Sequence, residues 1–131
     1  ASIERGVKYI MTISLNVDGN NPNQLQEYQI EGVTYFINTL YNVRSGWYMS
    51  FFNKSNTLLL GGVKCVASGL LTHRYSRSTG LFTGDIRIMD TAPVENDNAI
   101  TKDNFGQGRR YQPWYFTKDE MDLYQFSPYQ V

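Results

Sequence analysis

The sequence of 131 residues is poor in the side chains that most metal and redox sites use, with one cysteine, Cys65, and one histidine, His73. A single thiol excludes an internal disulfide framework and is typical of a reducing compartment. A zinc site takes three or four Cys, His or acidic ligands, which one Cys and one His do not supply. Cys65 lies in the apolar run of residues 63–67, which favours a small buried side chain over a reactive nucleophile.

The groupings that common catalytic chemistry requires are also missing. His73 has cationic rather than acidic sequence neighbours, whereas a catalytic triad needs an orienting carboxylate. The glycines at residues 61–62 and 106–108 neither precede a predicted helix nor carry the Gly-Lys-Ser/Thr ending of a phosphate loop. The acids of residues 90–103 lack the spacing of a calcium loop, while a pair of carboxylates brought together from separate strands stays open. We predict that the protein is not an enzyme, binds no cofactor or metal, and has no catalytic, cofactor-binding or metal-binding residues.

Long hydrophobic runs and a charge excess are absent as well. No apolar run approaches the roughly 18 residues that would span a bilayer, and the N-terminus lacks the basic-then-apolar pattern of a secretory signal. We therefore expect no membrane partner. Lys and Arg together number 12, as do Asp and Glu, so the formal net charge is zero. This balance argues against nucleic acid as a partner, because phosphate binding usually needs a basic face, although a local basic patch stays open.

What the sequence has in quantity is aromatic residues and two-residue alternation. Ten Tyr and seven Phe favour pleated sheet. Residues 7–17 alternate apolar with polar side chains, broken only at Ile10, and predict a long N-terminal strand. The other predicted strands, separated by turn signals, cover residues 25–30, 33–41, 47–53, 57–60, 81–90, 109–116 and 123–126. Their spacing predicts a single all-β domain over residues 1–131, an antiparallel sandwich or barrel with its core at about residues 25–125.

Local signals add detail to this prediction. The dipeptide Glu31-Gly32 is a candidate tight hairpin turn, and Gly61-Gly62 predicts a bulge. Residues 33–41 have apolar side chains on both faces, so we expect that strand to be covered on both sides. Pro113 predicts an edge strand or a bulge for residues 109–116. Thr117 and Glu120 form a capping box that predicts at most one short helical turn, and residues 91–108 predict a functional or mobile loop.

The most suggestive cluster for ligand binding is Arg109, Arg110, Tyr111, Trp114 and Tyr115. Arginine interleaved with aromatic rings can stack on bases or sugars, which leaves a carbohydrate-binding or single-stranded nucleic-acid-binding module as the alternative function. The simpler interpretation is a strand with its apolar face turned inward and its arginines turned outward. A second aromatic candidate, Trp47, alternates in step with a predicted core face, which weakens its interpretation as a sugar platform.

The order of motifs along the chain resembles a family of bacteriophage tail-baseplate proteins, the plug-type β-sandwich domain of a cyanophage contractile tail. The resemblance covers about residues 24–125. Its motifs are an aromatic strand pair joined by Asn42-Val43-Arg44-Ser45-Gly46-Trp47, a Leu- and Gly-rich stretch at residues 58–63, a Leu-plus-basic-Tyr segment at residues 70–75, a strand ending in Asp at residues 80–90, the loop at residues 103–106, and the Arg-bearing strand at residues 109–116. The chain departs from the pattern at residues 76–79, and adds the strand at residues 7–17 and the insert at residues 92–102.

This resemblance implies a tail-tube- or hub-like fold and a structural virion protein. Its expected partners are other phage tail and baseplate proteins of the hub, tube and tape-measure region, together with further copies of itself in a homo-oligomeric ring. Its expected place is the virion tail, after synthesis in the host bacterial cytoplasm. The first strand, the loop at residues 91–108 and the segment at residues 109–116 are the expected contact surfaces.

Overall fold

The computed structural model describes residues 13–67, 71–73, 80–92 and 100–123, and the elements of these residues are strands apart from one short helix. In chain order they are β1 (Ile13–Ser14), β2 (Asn23–Ile30), β3 (Val33–Asn42), β4 (Gly46–Asn53), β5 (Leu58–Lys64), β6 (Asp85–Asp90), β7 (Tyr111–Phe116) and α1 (Lys118–Leu123). They form two antiparallel sheets, ordered β1-β7-β6 and β2-β3-β4-β5. The predicted all-β antiparallel fold is confirmed, and within the described residues it is a sandwich of two sheets rather than a closed barrel.

The four-stranded sheet is a meander built by short turns. Glu31 and Gly32 both have positive φ, 56° and 76°, and place Ile30 directly opposite Val33. Two central residues with positive φ are the signature of a type I′ turn, whose twist matches that of the flanking strands. The predicted bulge in β5 is also confirmed, because the register of the β4–β5 pair shifts on both sides of Phe51.

The core joins the two sheets through one aromatic ring in particular, that of Phe82. Its centroid lies 5.4 Å from that of Tyr35 and 6.0 Å from that of Phe51, both in the four-stranded sheet, and 5.3 Å from that of Tyr115 in β7. All three pairs meet edge to face, the arrangement that aromatic quadrupoles favour. The ring itself is 1% exposed.

Gly84, which directly precedes β6, allows the chain to approach β7 closely within the three-stranded sheet. A Cβ at this position would overlap the backbone carbonyl oxygen of Phe116 and the ring of Tyr115. Gly84 therefore marks a close backbone approach, which requires a residue without a Cβ.

Pro113 lies in β7, the central strand of the three-stranded sheet, so the prediction of an edge strand is wrong. The carbonyl of Pro113 accepts the N–H of Leu15 at 3.0 Å, which shows that its backbone polar groups point toward the β1 side. The carbonyl of Leu15 accepts the N–H of Val17 instead. The missing N–H of Pro113 therefore leaves no ladder partner unsatisfied, and a proline is tolerated inside the sheet.

The two ends of the described chain match the sequence predictions in part. Of the predicted first strand, residues 7–12 lie outside the described residues and Ile13–Ser14 form a strand. Its extension over residues 15–17 is wrong, because the Val17 N–H turns back to the Leu15 carbonyl. The capping box is confirmed, since Glu120 N–H donates to Thr117 Oγ1 at 3.1 Å and Thr117 N–H donates to Glu120 Oε1 at 2.9 Å. Leu123 belongs to α1, so a strand beginning there is wrong, and residues 124–126 lie outside the described residues.

Candidate assembly surface

The side of the four-stranded sheet that faces away from the core carries large apolar and aromatic side chains among polar ones, and we call it the outer face. Its large side chains are Leu25, Phe36, Leu40, Tyr48, Phe52 and Leu58. Register brings Phe36 beside Phe52, and Phe52 beside Leu58. Leu25 and Leu58 are 57% and 55% exposed. Exposed apolar surface of this kind marks interaction sites on soluble proteins.

The outer face corrects the prediction that residues 33–41 are covered on both sides. The inner side chains of β3, among them Tyr35 and Ile37, are buried, whereas Phe36 is half-buried and Leu40 is exposed on the other side. The apolar residues on both faces of β3 therefore reflect one core face and one face that the described residues leave partly exposed.

The strand β2 forms a regular outer edge of the same sheet. The carbonyl of Pro22 accepts the N–H of Tyr41 at 2.7 Å, so these two residues form a hydrogen-bonded pair. Along β2, every second residue from Pro22 is hydrogen-bonded to β3, and the residues between them are not. The residues whose backbone groups point away from β3 are therefore Asn23, Leu25, Glu27 and Gln29. The strand contains no Pro, Gly or Lys and keeps its register over eight residues. Apart from the charge of Glu27, it thus lacks the usual devices that prevent an edge from pairing with another chain.

The opposite edge, β5, is irregular. Its register shifts twice against β4, Gly62 has a φ of 64°, and the Gly62 N–H donates to the Ser50 hydroxyl at 2.9 Å rather than to a strand. A bulged edge is a poor template for strand addition. The two edges of the sheet therefore differ, since β2 is regular and β5 is bulged. A contact that joins the β2 edge of one molecule to the β5 edge of another would bring together two unlike surfaces.

A recess of about 530 Å³ opens beside the β3–β4 turn, and we call it the turn recess. Trp47, Cys65 and Tyr111 line it and are at most 3% exposed, so its floor belongs to the core. The Trp47 indole N–H donates to the carbonyl of Thr101 at 3.0 Å, which fixes one wall. A volume of this size lies within the roughly 300–1,000 Å³ of typical ligand pockets.

The rim of the turn recess carries two cations and an exposed valine. Arg44 and Lys64 both line the opening and both are exposed, while Val43 at the tip of the turn is 85% exposed. The Lys64 Cε atom lies 4.0 Å from the position that a Cβ would take on Gly46. The lysine stem therefore runs along the turn that carries Arg44, and the two cations share one end of the sheet.

The two arginines of the candidate stacking cluster at residues 109–115 are already engaged. Arg109 donates to the carbonyl of Asp103 at 2.7 Å and to Asn20 Oδ1 at 2.6 Å, so it fastens two loops together. Arg110 donates to both oxygens of Asp90, at 2.8 and 2.9 Å. This pairing lowers the pKa of Asp90 to about 2, chiefly through the Arg110 hydrogen bonds.

The aromatic members of the cluster face mainly inward. Tyr111 and Tyr115 are 3% and 1% exposed, and Trp114 is half-buried with its indole N–H directed to Gln112 Oε1 at 3.3 Å. Trp47 is 1% exposed and offers no ring face to a sugar. The described geometry therefore favours the simpler interpretation of this strand over a stacking platform.

A carboxylate clasp joins the two sheets at the end opposite the turn recess. Glu31, in the β2–β3 turn, accepts hydrogen bonds from Thr83 N–H at 2.8 Å, Gly84 N–H at 2.9 Å, the Thr83 hydroxyl at 3.0 Å, and the Tyr115 hydroxyl. Partial burial works against ionisation, but these bonds outweigh it and hold the pKa of Glu31 below its usual value. Burial, together with the bond to the Glu31 carboxylate, raises the pKa of Tyr115.

A second carboxylate, Asp85, is fully buried and anchors the segment at residues 71–73. Its Oδ1 accepts the N–H groups of Leu71, Thr72 and His73 at 2.8–3.1 Å. Burial raises the pKa of Asp85 despite these bonds and the charge of Arg87, whose NH1 lies 3.9 Å from Oδ2. These contacts are structural, since three backbone donors converge on one acceptor to hold a loop in place.

The remaining candidate reactive groups are also buried or held. Cys65 is 3% exposed, and burial raises the pKa of its thiol, which matches the predicted small buried side chain. His73 Nδ1 lies 2.8 Å from the Thr83 carbonyl oxygen. Among the described residues, no group of three or more His, Cys, Asp or Glu side chains could hold a metal ion, and no helix is long and apolar enough to cross a membrane.

Among the described residues, the contact surfaces predicted from the sequence meet the candidate surfaces at the turn recess, which Ile100, Thr101 and Tyr111 help to line. Within the predicted contact loop at residues 91–108, Phe105 is fully buried, while residues 93–99 lie outside the described residues. The sequence does not predict the turn recess, although the turn beside it, residues 42–47, is one of the motifs that carry the resemblance. The available signal was Val43 beside Arg44, an exposed apolar residue next to a cation in a turn.

Comparison with known proteins agrees with the resemblance seen in the motifs. A family model described as "Cyanophage baseplate Pam3 plug gp18" matches residues 10–118. A search of curated proteins found no match to the chain.

Proposed function

Because this chain belongs to the cyanophage baseplate plug family, we propose that it is a structural component of a phage tail, in the hub or plug of the baseplate or in the region that initiates the tube. It acts by self-assembly into a homo-oligomeric ring and by contacts with hub, tube and tape-measure-region proteins. It has no enzymatic activity, cofactor or membrane or nucleic-acid partner, and residues 1–131 act as one β domain. It is made in the host cytoplasm and incorporated into the virion.

The observation that carries this proposal is the family match over residues 10–118. The geometry supports it in two ways. The outer face leaves large side chains such as Leu25 and Leu58 more than half exposed, and within the described residues β2 is a regular edge strand of eight residues. A ring subunit needs such surfaces, because each copy must contact two neighbours.

The test is composition and mass. Tails purified from infected cells are expected to contain the protein in several copies, and the purified protein mixed with other baseplate proteins is expected to form a complex larger than the single chain by light scattering. Absence of the protein from purified tails would reject the structural role. Presence as a single copy per tail would reject the ring while leaving the structural role standing.

A further inference from the structure

The proposed ring, on which this inference rests, requires two different surfaces that fit each other. The turn recess supplies one surface, with two exposed cations, Arg44 and Lys64, beside the exposed apolar Val43. Among the described residues, neither cation has a side-chain hydrogen bond or ion pair. A partner for this surface should carry an exposed acid close to an exposed apolar side chain.

The β2 edge of this same chain has that chemistry. Leu25 is 57% exposed, Glu27 is exposed, and both side chains lie on the same face because they are two residues apart in one strand. Glu27 is the one charged residue in β2. The other exposed acids of the described residues are less suited. Asp18, Glu31 and Asp90 already accept hydrogen bonds from their own chain. Asp103 and Asp119 each follow a lysine, whose charge offsets theirs.

We propose that in the ring the β2 edge of one copy docks at the turn recess of the next copy, with Glu27 facing Arg44 and Lys64 and with Leu25 against Val43. The strands β2 and β5 are the two opposite edges of one sheet, and Lys64 lies at the end of β5. The contact is therefore head to tail, and a contact of this kind repeats from copy to copy until a ring closes. Side chains rather than a continuous ladder make the contact, because β5 is bulged.

A double-cysteine variant tests the adjacency directly in tails. Leu25→Cys with Val43→Cys in the same chain is expected to give, on mild oxidation of purified tails, a ladder of disulfide-linked copies, whereas each single variant gives none. Buried Cys65 contributes no background, since it is 3% exposed. The matched control replaces Leu25→Cys by Leu58→Cys, which is equally exposed at 55% but lies on the other edge of the outer face.

A charge swap tests the electrostatic part. Glu27→Lys alone, or Arg44→Glu with Lys64→Glu, is expected to lower incorporation into tails roughly tenfold or more, because each places like charges together. The triple variant that combines them restores opposite charges and is expected to recover incorporation. Lys54→Glu, an exposed lysine outside the turn recess, is the control and should incorporate normally. Thermal melting of each purified variant shows whether it remains folded.

The outcomes separate this inference from the function on which it rests. Absence of the unmodified protein from tails rejects the proposed function and the inference with it. If the double-cysteine variant is present in tails but gives no ladder, or if Leu25→Cys alone gives linked dimers, the structural role stands and the head-to-tail contact is wrong. Normal incorporation of both charge-reversed variants would overturn the pairing of Glu27 with Arg44 and Lys64.

Discussion

The Glu31 clasp gives the sharpest test of how the two sheets are held together. The variant Glu31→Gln keeps the shape of the side chain but replaces one acceptor oxygen by an amide donor and removes the charge. Of the groups that donate to Glu31, Gly84 and Tyr115 belong to buried residues, while Thr83 is exposed and can turn to water. The two buried donors therefore dominate the cost of the substitution.

A hydrogen bond to a charged group contributes about 1.5–3 kcal/mol and one to a neutral group about 0.5–1.5 kcal/mol. The Gly84 N–H and the Tyr115 hydroxyl both donate to Oε2, so the amide oxygen of Gln can accept both, and the variant loses the charge that strengthens these bonds. Because Glu31 itself is exposed and solvent screens its charge, we expect the free energy of unfolding to fall by about 1–2 kcal/mol at pH 7. Urea denaturation followed by tryptophan fluorescence measures the difference. Asp103→Asn is the control, because it removes an exposed carboxylate that has no side-chain hydrogen bond in the described residues, and it should change stability by less than about 0.5 kcal/mol.

The same variant makes a prediction about pH. The folded-state pKa of Glu31 is depressed, so its contribution is fully present above the unfolded value of roughly 4.3 and is lost as the pH falls through the lower folded pKa. The stability difference between wild type and Glu31→Gln should therefore shrink below about pH 4. A variant as stable as the control at pH 7, or a difference that is unchanged in acid, would refute the clasp.

Three further predictions concern single sites. Gly84→Ala should lower the melting temperature by about 10 °C or more, because the added methyl group overlaps backbone atoms. This shift corresponds to about 2–3 kcal/mol in a domain of this size. Gly61→Ala is the control and should have a small effect, since its methyl group meets only a flexible leucine side chain. NMR titration should give Asp90 a pKa of about 2, which returns toward its ordinary value in Arg110→Gln; an unchanged pKa in that variant would contradict the ion pair. Burial raises the pKa of the Cys65 thiol, so a thiol reagent at pH 8 should leave Cys65 unmodified in the native protein. The same reagent should modify Cys65 once urea unfolds the chain. Rapid labelling of the native protein would contradict the burial of this thiol.

Local patterns in the chain were sufficient to predict much of the architecture. Alternation placed Trp47, Met49 and Phe51 on one buried face of β4, and the Glu31-Gly32 pair predicted the hairpin turn. The capping box at Thr117 is a contact over three residues, so its geometry follows from the spacing alone. The family resemblance rested on the same kind of information, the order and spacing of turns and aromatic strands.

Tertiary structure decided which side of each pattern faces solvent and which segments meet. Pro113 predicts an edge strand when β7 is considered alone, yet β7 is a central strand. The proline is tolerated there because the Leu15 carbonyl, which would accept an N–H from position 113, accepts the Val17 N–H instead. Arg109 looked free in the sequence, yet its partner Asn20 lies 89 positions away. The turn recess and the Glu31 clasp likewise depend on residues from separate strands. The sequence by itself determined the strands, the turns and the family, since these depend on near neighbours. The candidate contact surface depended on the tertiary structure, because only packing brings distant side chains together or leaves them exposed.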